Sequence, residues 1–299
     1  WNLQQGSSGS SAGSAAATAA GLVPFAIGSE TWGSIVSPST RCGTSGLRPT
    51  FGRVSRTGAM ALSWTMDKLG PICRTVEDCA IVFDAIHGPQ GSDQTVVDVP
   101  FQYDSNMDIK ALRIGYLKAA FADDYDNKAY DAATLNTLRQ MGVDLIPKEL
   151  PDMPIEPLSF ILSAEAAAAF DTLTRTNLDD RMVRQVRNAW PNVFRAARFI
   201  PAVEYINANR LRYQWIQAMQ ELFRTIDVYV APSFGGNNLL LTNLTGHPCV
   251  VLPNGFRENG TPVSISFIGN LYREGQLLAL ANAYQRHTDF HNQHPELFE

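Results

Sequence analysis

Two segments rich in glycine and serine, residues 6–14 and 28–34, lie near the start of this 299-residue chain. Between them runs AAATAAG, residues 15–21. Alanine is the best helix former, Ser14 is a good N-cap, and Gly21 can take the left-handed conformation that ends a helix. Residues 15–20 are therefore expected to form a short buried helix that returns the second loop to the first. Most Gly/Ser runs are linkers. Here Leu22, Val23, Phe25 and Ile27 interleave with them, which a tether lacks, and the small residues suit close packing. Serine hydroxyls and free N–H groups would then converge on one point. Acyl transfer requires that: a hydroxyl to attack, a group to take its proton, and N–H donors for the oxyanion.

The rest of the chain supplies a core for these loops. Thr75-x-x-Asp78 reads as a capping box opening a helix with Val76, Cys79, Ala80, Phe83 and Ile86 at helical spacing, stopped by Gly88 and Pro89. Residues 90–108 are polar and read as a surface loop. A strand at 112–117, a helix at 130–141 and a strand at 143–146 suggest parallel pairing under a helical cover. Residues 157–226 are helical in pattern, most clearly from Val203 to Ile226. Trp190, Phe194, Phe199 and Trp215 read as core ahead of an acyl-binding pocket. Strands follow at 227–231, 249–252 and 263–267, then a helix at 273–287.

Composition excludes some functions. A net charge of −5 with no Lys/Arg cluster argues against a nucleic-acid surface, and no apolar run is long enough to span a bilayer. Cys42, Cys73, Cys79 and Cys249 fit no zinc spacing and read as small buried side chains. His287, His291 and His294 cluster near the C-terminus without the carboxylates of a metal site. No metal and no cofactor are expected. Residues 28–34 lack the lysine of a phosphate-binding loop.

Longer strings carry more. GSSAGSAAATAAG, GSETWGSIVSP, RCGTSGLRPTFGRVS and MDKLGPICRTVEDCAIVFDAI follow one another, and TNLTGHPCVVLPNGF and PVSISFIGNLYREGQLLALANAYQ come near the end. In that order they resemble the amidase signature family over nearly the whole chain. The resemblance implies an α/β fold, a mixed twisted β-sheet sandwiched between helical layers, in a single amidase domain over residues 1–299. It implies Ser34 as nucleophile and Ser10, behind a cis peptide bond, as the bridging serine. The oxyanion hole falls on the backbone N–H groups of Thr31, Trp32 and Gly33, with Ser11 and Glu30 supporting the loops. The implied activity is hydrolysis of a small-molecule carboxylic acid amide through a Ser-Ser-Lys relay and an acyl-enzyme.

Three positions depart from the family pattern. Glu30 replaces aspartate, Val36 replaces arginine, and Trp32 replaces a glycine, where a positive φ would strain it. Two rivals follow from the same resemblance. One is the ammonia-releasing A chain of a tRNA-dependent amidotransferase, which acts on glutamine. Its usual aspartate, seven residues before Asn243, is Gly236 here, which disfavours glutamine. The other is a catalytically inactive member that only binds. The family's catalytic lysine precedes the serine loops, and Lys68, Lys110, Lys118, Lys128 and Lys148 match no such position. A preceding N-terminal segment of the same protein is therefore expected to bring it, leaving an exposed apolar surface beside Ser10 in its absence. A homodimer is compatible with this reading. The compartment is not readable; the cytoplasm is favoured and secretion stays open.

Overall fold

The computed structural model describes residues 1 and 4–295. The chain opens with α1 (Ala12–Ala19), β1 (Phe25–Glu30), α2 (Val36–Cys42), β2 (Ser45–Arg48), β3 (Lys68–Cys73) and α3 (Val76–Ile86). It continues through β4 (Ile114–Leu117), α4 (Lys118–Ala122), α5 (Lys128–Gln140) and β5 (Leu145–Lys148). A helical stretch follows: α6 (Phe160–Ala169), α7 (Asp171–Arg175), α8 (Trp190–Ala197) and α9 (Ala202–Phe223). Finally come β6 (Val228–Pro232), α10 (Asn238–Thr245), β7 (Cys249–Phe256), β8 (Pro262–Gly269) and α11 (Glu274–His287).

All eight strands join one sheet in the order β1-β3-β2-β7-β8-β6-β4-β5. β4 runs parallel to β5 and β6, and every other pairing is antiparallel. This is the expected mixed α/β sheet between helical layers. Its central strands read as unbroken apolar runs because both faces are covered. Val228 and Val230 of β6, with Val250 and Leu252 of β7, pack toward α3, α5 and α11. Tyr229, Ala231, Cys249 and Val251 point to the other face, against Trp215, Met219 and Phe223 of α9 and Leu241 and Leu244 of α10. A third cluster, Ala15, Ile35, Cys42 and Ile72, fills the space beneath α1 and α2.

Thr75 caps α3 as expected, its hydroxyl accepting from the Asp78 N–H at 3.0 Å. All four cysteines are free and buried. Other expectations need correction. Phe194 and Trp215 are core, but Trp190 and Phe199 are exposed, Phe199 at 87%. The first helix starts at Ala12, not at residue 15, and only Ala15 and Thr18 of it are buried. Ser14 lies inside it and does not cap it; its hydroxyl donates to the Ile27 carbonyl at 2.8 Å, tying α1 to β1. Gly21 does end the helix, at φ +71°. The Gly21 and Leu22 N–H groups return to the Thr18 and Ala17 carbonyls, a Schellman closure.

Strand β3 was hidden by its own sequence. KLGPIC holds Gly70 and Pro71, which read as breakers. Gly70 is needed because a Cβ there would fall 2.0 Å from the Leu47 carbonyl oxygen. Gly70→Ala is therefore expected to destabilise the fold by about 3 kcal/mol or more, since backbone must move. Urea unfolding measures this, and a loss below about 1 kcal/mol would show that β2 and β3 part freely.

Candidate active site

The two serine loops meet at the edge of the sheet. β1 is the edge strand, paired only with β3. The Ser11 N–H donates to the Ser34 carbonyl at 3.2 Å. The Ser11 hydroxyl donates to the Ser29 carbonyl at 3.1 Å and accepts from the Ser29 N–H at 3.0 Å. Ser8 and Ser37 share a 2.6 Å hydroxyl contact. The peptide bond between Gly9 and Ser10 is cis. Ser10 is exposed, Ser34 is half-buried, and neither hydroxyl is held by another group among the described residues.

The turn between β1 and α2 carries the nucleophile candidate. The N–H groups of Thr31, Trp32, Gly33 and Ser34 find no acceptor among the described residues. Thr31 is fixed by its hydroxyl, which donates to Asp67 at 2.5 Å. Trp32 is not strained. Among the described residues only Ser8, Asn177 and Tyr272 combine a side chain with positive φ, and the turn places its left-handed residue at Gly33, φ +92°. A side chain at Gly33 would meet Leu239 of α10 at 3.1 Å.

Glu30 holds this turn from below. One carboxylate oxygen accepts from the Ile35 and Val36 N–H groups at 2.8 and 3.0 Å. The other accepts from Arg48 and from the Asn243 side-chain amide, each at 2.8 Å. Arg48 also donates to the His247 carbonyl at 3.0 Å. Both members of the ion pair are buried. Burial alone would push the Glu30 carboxyl up. The Arg48 charge, together with hydrogen bonds from Arg48, the Val36 N–H and Asn243, outweighs it and holds the group at about 2. The longer arm of glutamate thus spans from the start of α2 to β2 and α10.

Lys68, opposite Glu30 in the β1–β3 register, is buried beside this network. Its ammonium nitrogen donates to the Met66 carbonyl and, at 3.5 Å, to the Asn243 carbonyl. Burial first, and Arg48 second, push its pKa well below the usual range against the pull of Glu30. Among the described residues no lysine is hydrogen-bonded to Ser10 or Ser34. Nothing in the sequence signalled that Lys68 is buried, because lysine is almost never fully buried unless paired.

A cleft of about 810 Å³ opens beside Ser10, walled by Ile27, Met60, Leu62, Trp64 and Leu69 with Thr31 and Asp67. Arg56, Thr57, Ser92 and Asp93 make part of its wall polar, and another part is apolar and exposed, with Ile27 at 41%, Met60 at 84% and Trp64 at 49%. Phe25 and Leu22 extend that surface along the free edge of β1. Among the described residues no group of three or more His, Cys, Asp or Glu side chains is placed to hold a metal ion. No helix there is long and apolar enough to cross a membrane.

The mixed eight-stranded sheet, with the two serine loops locked together at its edge, is the scaffold that the comparisons with known proteins identify. A family profile described as Amidase matches residues 1–241, and this chain belongs to the amidase signature family. It is 33% identical over its full length to the A chain of a glutamyl-tRNA(Gln) amidotransferase of Roseiflexus castenholzii, spanning 70% of that relative. The protein of the same name from Acinetobacter baumannii is also 33% identical, again with 70% covered. An amidase family protein from Bacillus anthracis superposes with a TM-score of 0.81 at 27% identity, over 95% of this chain and 61% of its own. The peptide amidase of Stenotrophomonas maltophilia gives 0.78 at 28%, over 94% and 65%. The chain thus spans about two thirds of the length of these relatives.

The ion pair yields a pH test. Glu30 has its folded pKa depressed below 4.5, so its contribution is present above about pH 4.5 and is lost as pH falls toward 2. Glu30→Gln also leaves Arg48 buried without a counter-charge and is expected to cost about 3 kcal/mol at pH 7. The stability gap between wild type and variant, measured by unfolding, should narrow across that acid window. A gap independent of pH would contradict the assignment.

Proposed function

We propose that this chain carries the nucleophile and oxyanion hole of an enzyme that hydrolyses a carboxamide C–N bond. The observation that carries the reading is the junction of the two loops: Ser34 follows three N–H groups without acceptors among the described residues, and the Ser11 N–H donates to its carbonyl. In this reading the Ser34 hydroxyl attacks the amide carbonyl, and the N–H groups of Thr31, Trp32 and Gly33 receive the oxyanion. One such donor typically contributes roughly a hundred- to a thousand-fold in rate. Ser10 takes the proton and passes it to a lysine, then returns it to the leaving amine, and water releases the acid from the acyl-enzyme. The lysine comes from a segment seated at the cleft beside Ser10, because Lys68 is committed to backbone carbonyls. Neither serine is basic at neutral pH, so residues 1–299 alone are proposed to be inactive.

A second reading concerns the amide. The curated relatives named above are amidotransferase A chains, which favours glutamine as ammonia donor more strongly than the sequence motifs did. Gly236 stands against it, since it offers no carboxylate to a substrate amino group. Ammonia release from glutamine, with co-purification of a partner protein, separates this from hydrolysis of other amides.

Ser34→Ala in the full-length protein should lower kcat at least about a thousandfold and abolish labelling by a fluorophosphonate, with the melting temperature unchanged. Ser10→Ala should also lower kcat severely while leaving the oxyanion donors in place. Near-normal turnover by Ser34→Ala would remove the assignment, and a wild type that never labels would favour a binding-only protein.

A further inference from the structure

Five tryptophans occur in the chain, and their surroundings differ in a way that bears on substrate. The indole N–H of Trp1 donates to the Cys42 carbonyl, and that of Trp215 to the Pro154 carbonyl. Trp190 stacks on Phe194. The indoles of Trp32 and Trp64 have neither a hydrogen bond nor a ring neighbour among the described residues, although the Trp64 carbonyl accepts from Arg56 at 2.7 Å, and both residues stand near the serine loops. Trp64 walls the cleft beside Ser10. Trp32 is 43% exposed between buried Thr31 and buried Gly33.

The fold does not need the Trp32 ring. Its backbone takes an ordinary conformation, the neighbouring Thr31 and Gly33 fix the turn, and the ring fills no gap in the three core clusters. A large apolar ring left open to water is unfavourable unless something covers it. Two residues of extended chain span at most about 7 Å, so the Trp32 backbone lies within that distance of Ser34 and the indole springs from the same turn.

We propose that Trp32 is a specificity-determining residue that selects carboxamides with a flat, aromatic group next to the scissile carbonyl. The proposal rests on amide hydrolysis at Ser34. The indole face covers the aromatic group while the N–H of the same residue faces the oxyanion, so one residue couples recognition to the reacting carbonyl. Short aliphatic amides leave the ring uncovered and gain nothing from it.

The test compares Trp32→Gly and Trp32→Phe in the full-length protein, with benzamide, propionamide and glutamine as substrates. The readout is the ratio of kcat/KM for benzamide to that for propionamide, which cancels any general effect on the loop. Trp32→Gly should lower the ratio about tenfold, mainly through KM for benzamide, and Trp32→Phe should keep it within about threefold of wild type. An unchanged ratio in Trp32→Gly, or equal losses in both variants, overturns the inference. A wild type that releases ammonia from glutamine but acts on neither other amide overturns it while leaving amide hydrolysis intact. One that acts on no amide overturns both.

Discussion

The Glu30 carboxylate is the point on which the site's geometry depends. It is a buried charge, and a buried charge persists only when nearly every lone pair is used. Two backbone N–H groups at the start of α2, the Arg48 guanidinium and the Asn243 amide use them. Those four donors come from α2, the β2 strand that follows it, and the distant α10. The turn that carries Ser34 is consequently fixed relative to β2 and α10, not merely to its own strand. That explains how a loop at an edge strand can present a run of unpaired N–H groups. Its neighbours are satisfied elsewhere, so the unpaired donors of residues 31–34 do not collapse onto them.

Lys68 is best understood within this network. A lysine ammonium so close to Arg48 is disfavoured both by burial and by like charge, and its pKa falls accordingly. Its role in the fold is to donate to the Asn243 carbonyl, while the Asn243 side chain donates to Glu30. Strand β3 and helix α10 are thereby joined behind the nucleophile turn. In the proposed reading the base for Ser10 comes from elsewhere, on the side of the cleft that Ser10 lines.

How much of this could be read in the sequence depended on the kind of signal. Family-patterned strings named Ser10, Ser34, Ser11 and Glu30, which the structure brings to the two joined loops, and the capping box placed α3. Propensity misplaced the first helix by three residues, because Ser14 spends its hydroxyl on β1 and not on a cap. β3 escaped because Gly70 is there for a close approach of backbone, a tertiary demand with no local signature. Trp32 was expected to be strained by an inherited glycine conformation. The structure has the positive φ at Gly33 and an ordinary conformation at Trp32, which only coordinates reveal.

The same distinction governs what identity to relatives can say about substrate. Identity of 33% to amidotransferase A chains and 28% to a peptide amidase differ little, and both are spread over one shared scaffold. The strings that carry the resemblance are those that build the loops, the ion pair and the sheet, which any amide substrate uses equally. Discrimination between amides requires contacts that differ between them. Those contacts belong to positions where this chain leaves the pattern. Gly236 removes a carboxylate from the approach to α10, and Val36 is a buried aliphatic where the pattern has a cation. Trp32 adds an open aromatic face at the oxyanion turn. Each of the three departures changes the side chain at a position of the pattern. In the proposed reading it is such departures, and not the shared scaffold, that decide between a zwitterionic amino-acid amide and an uncharged one.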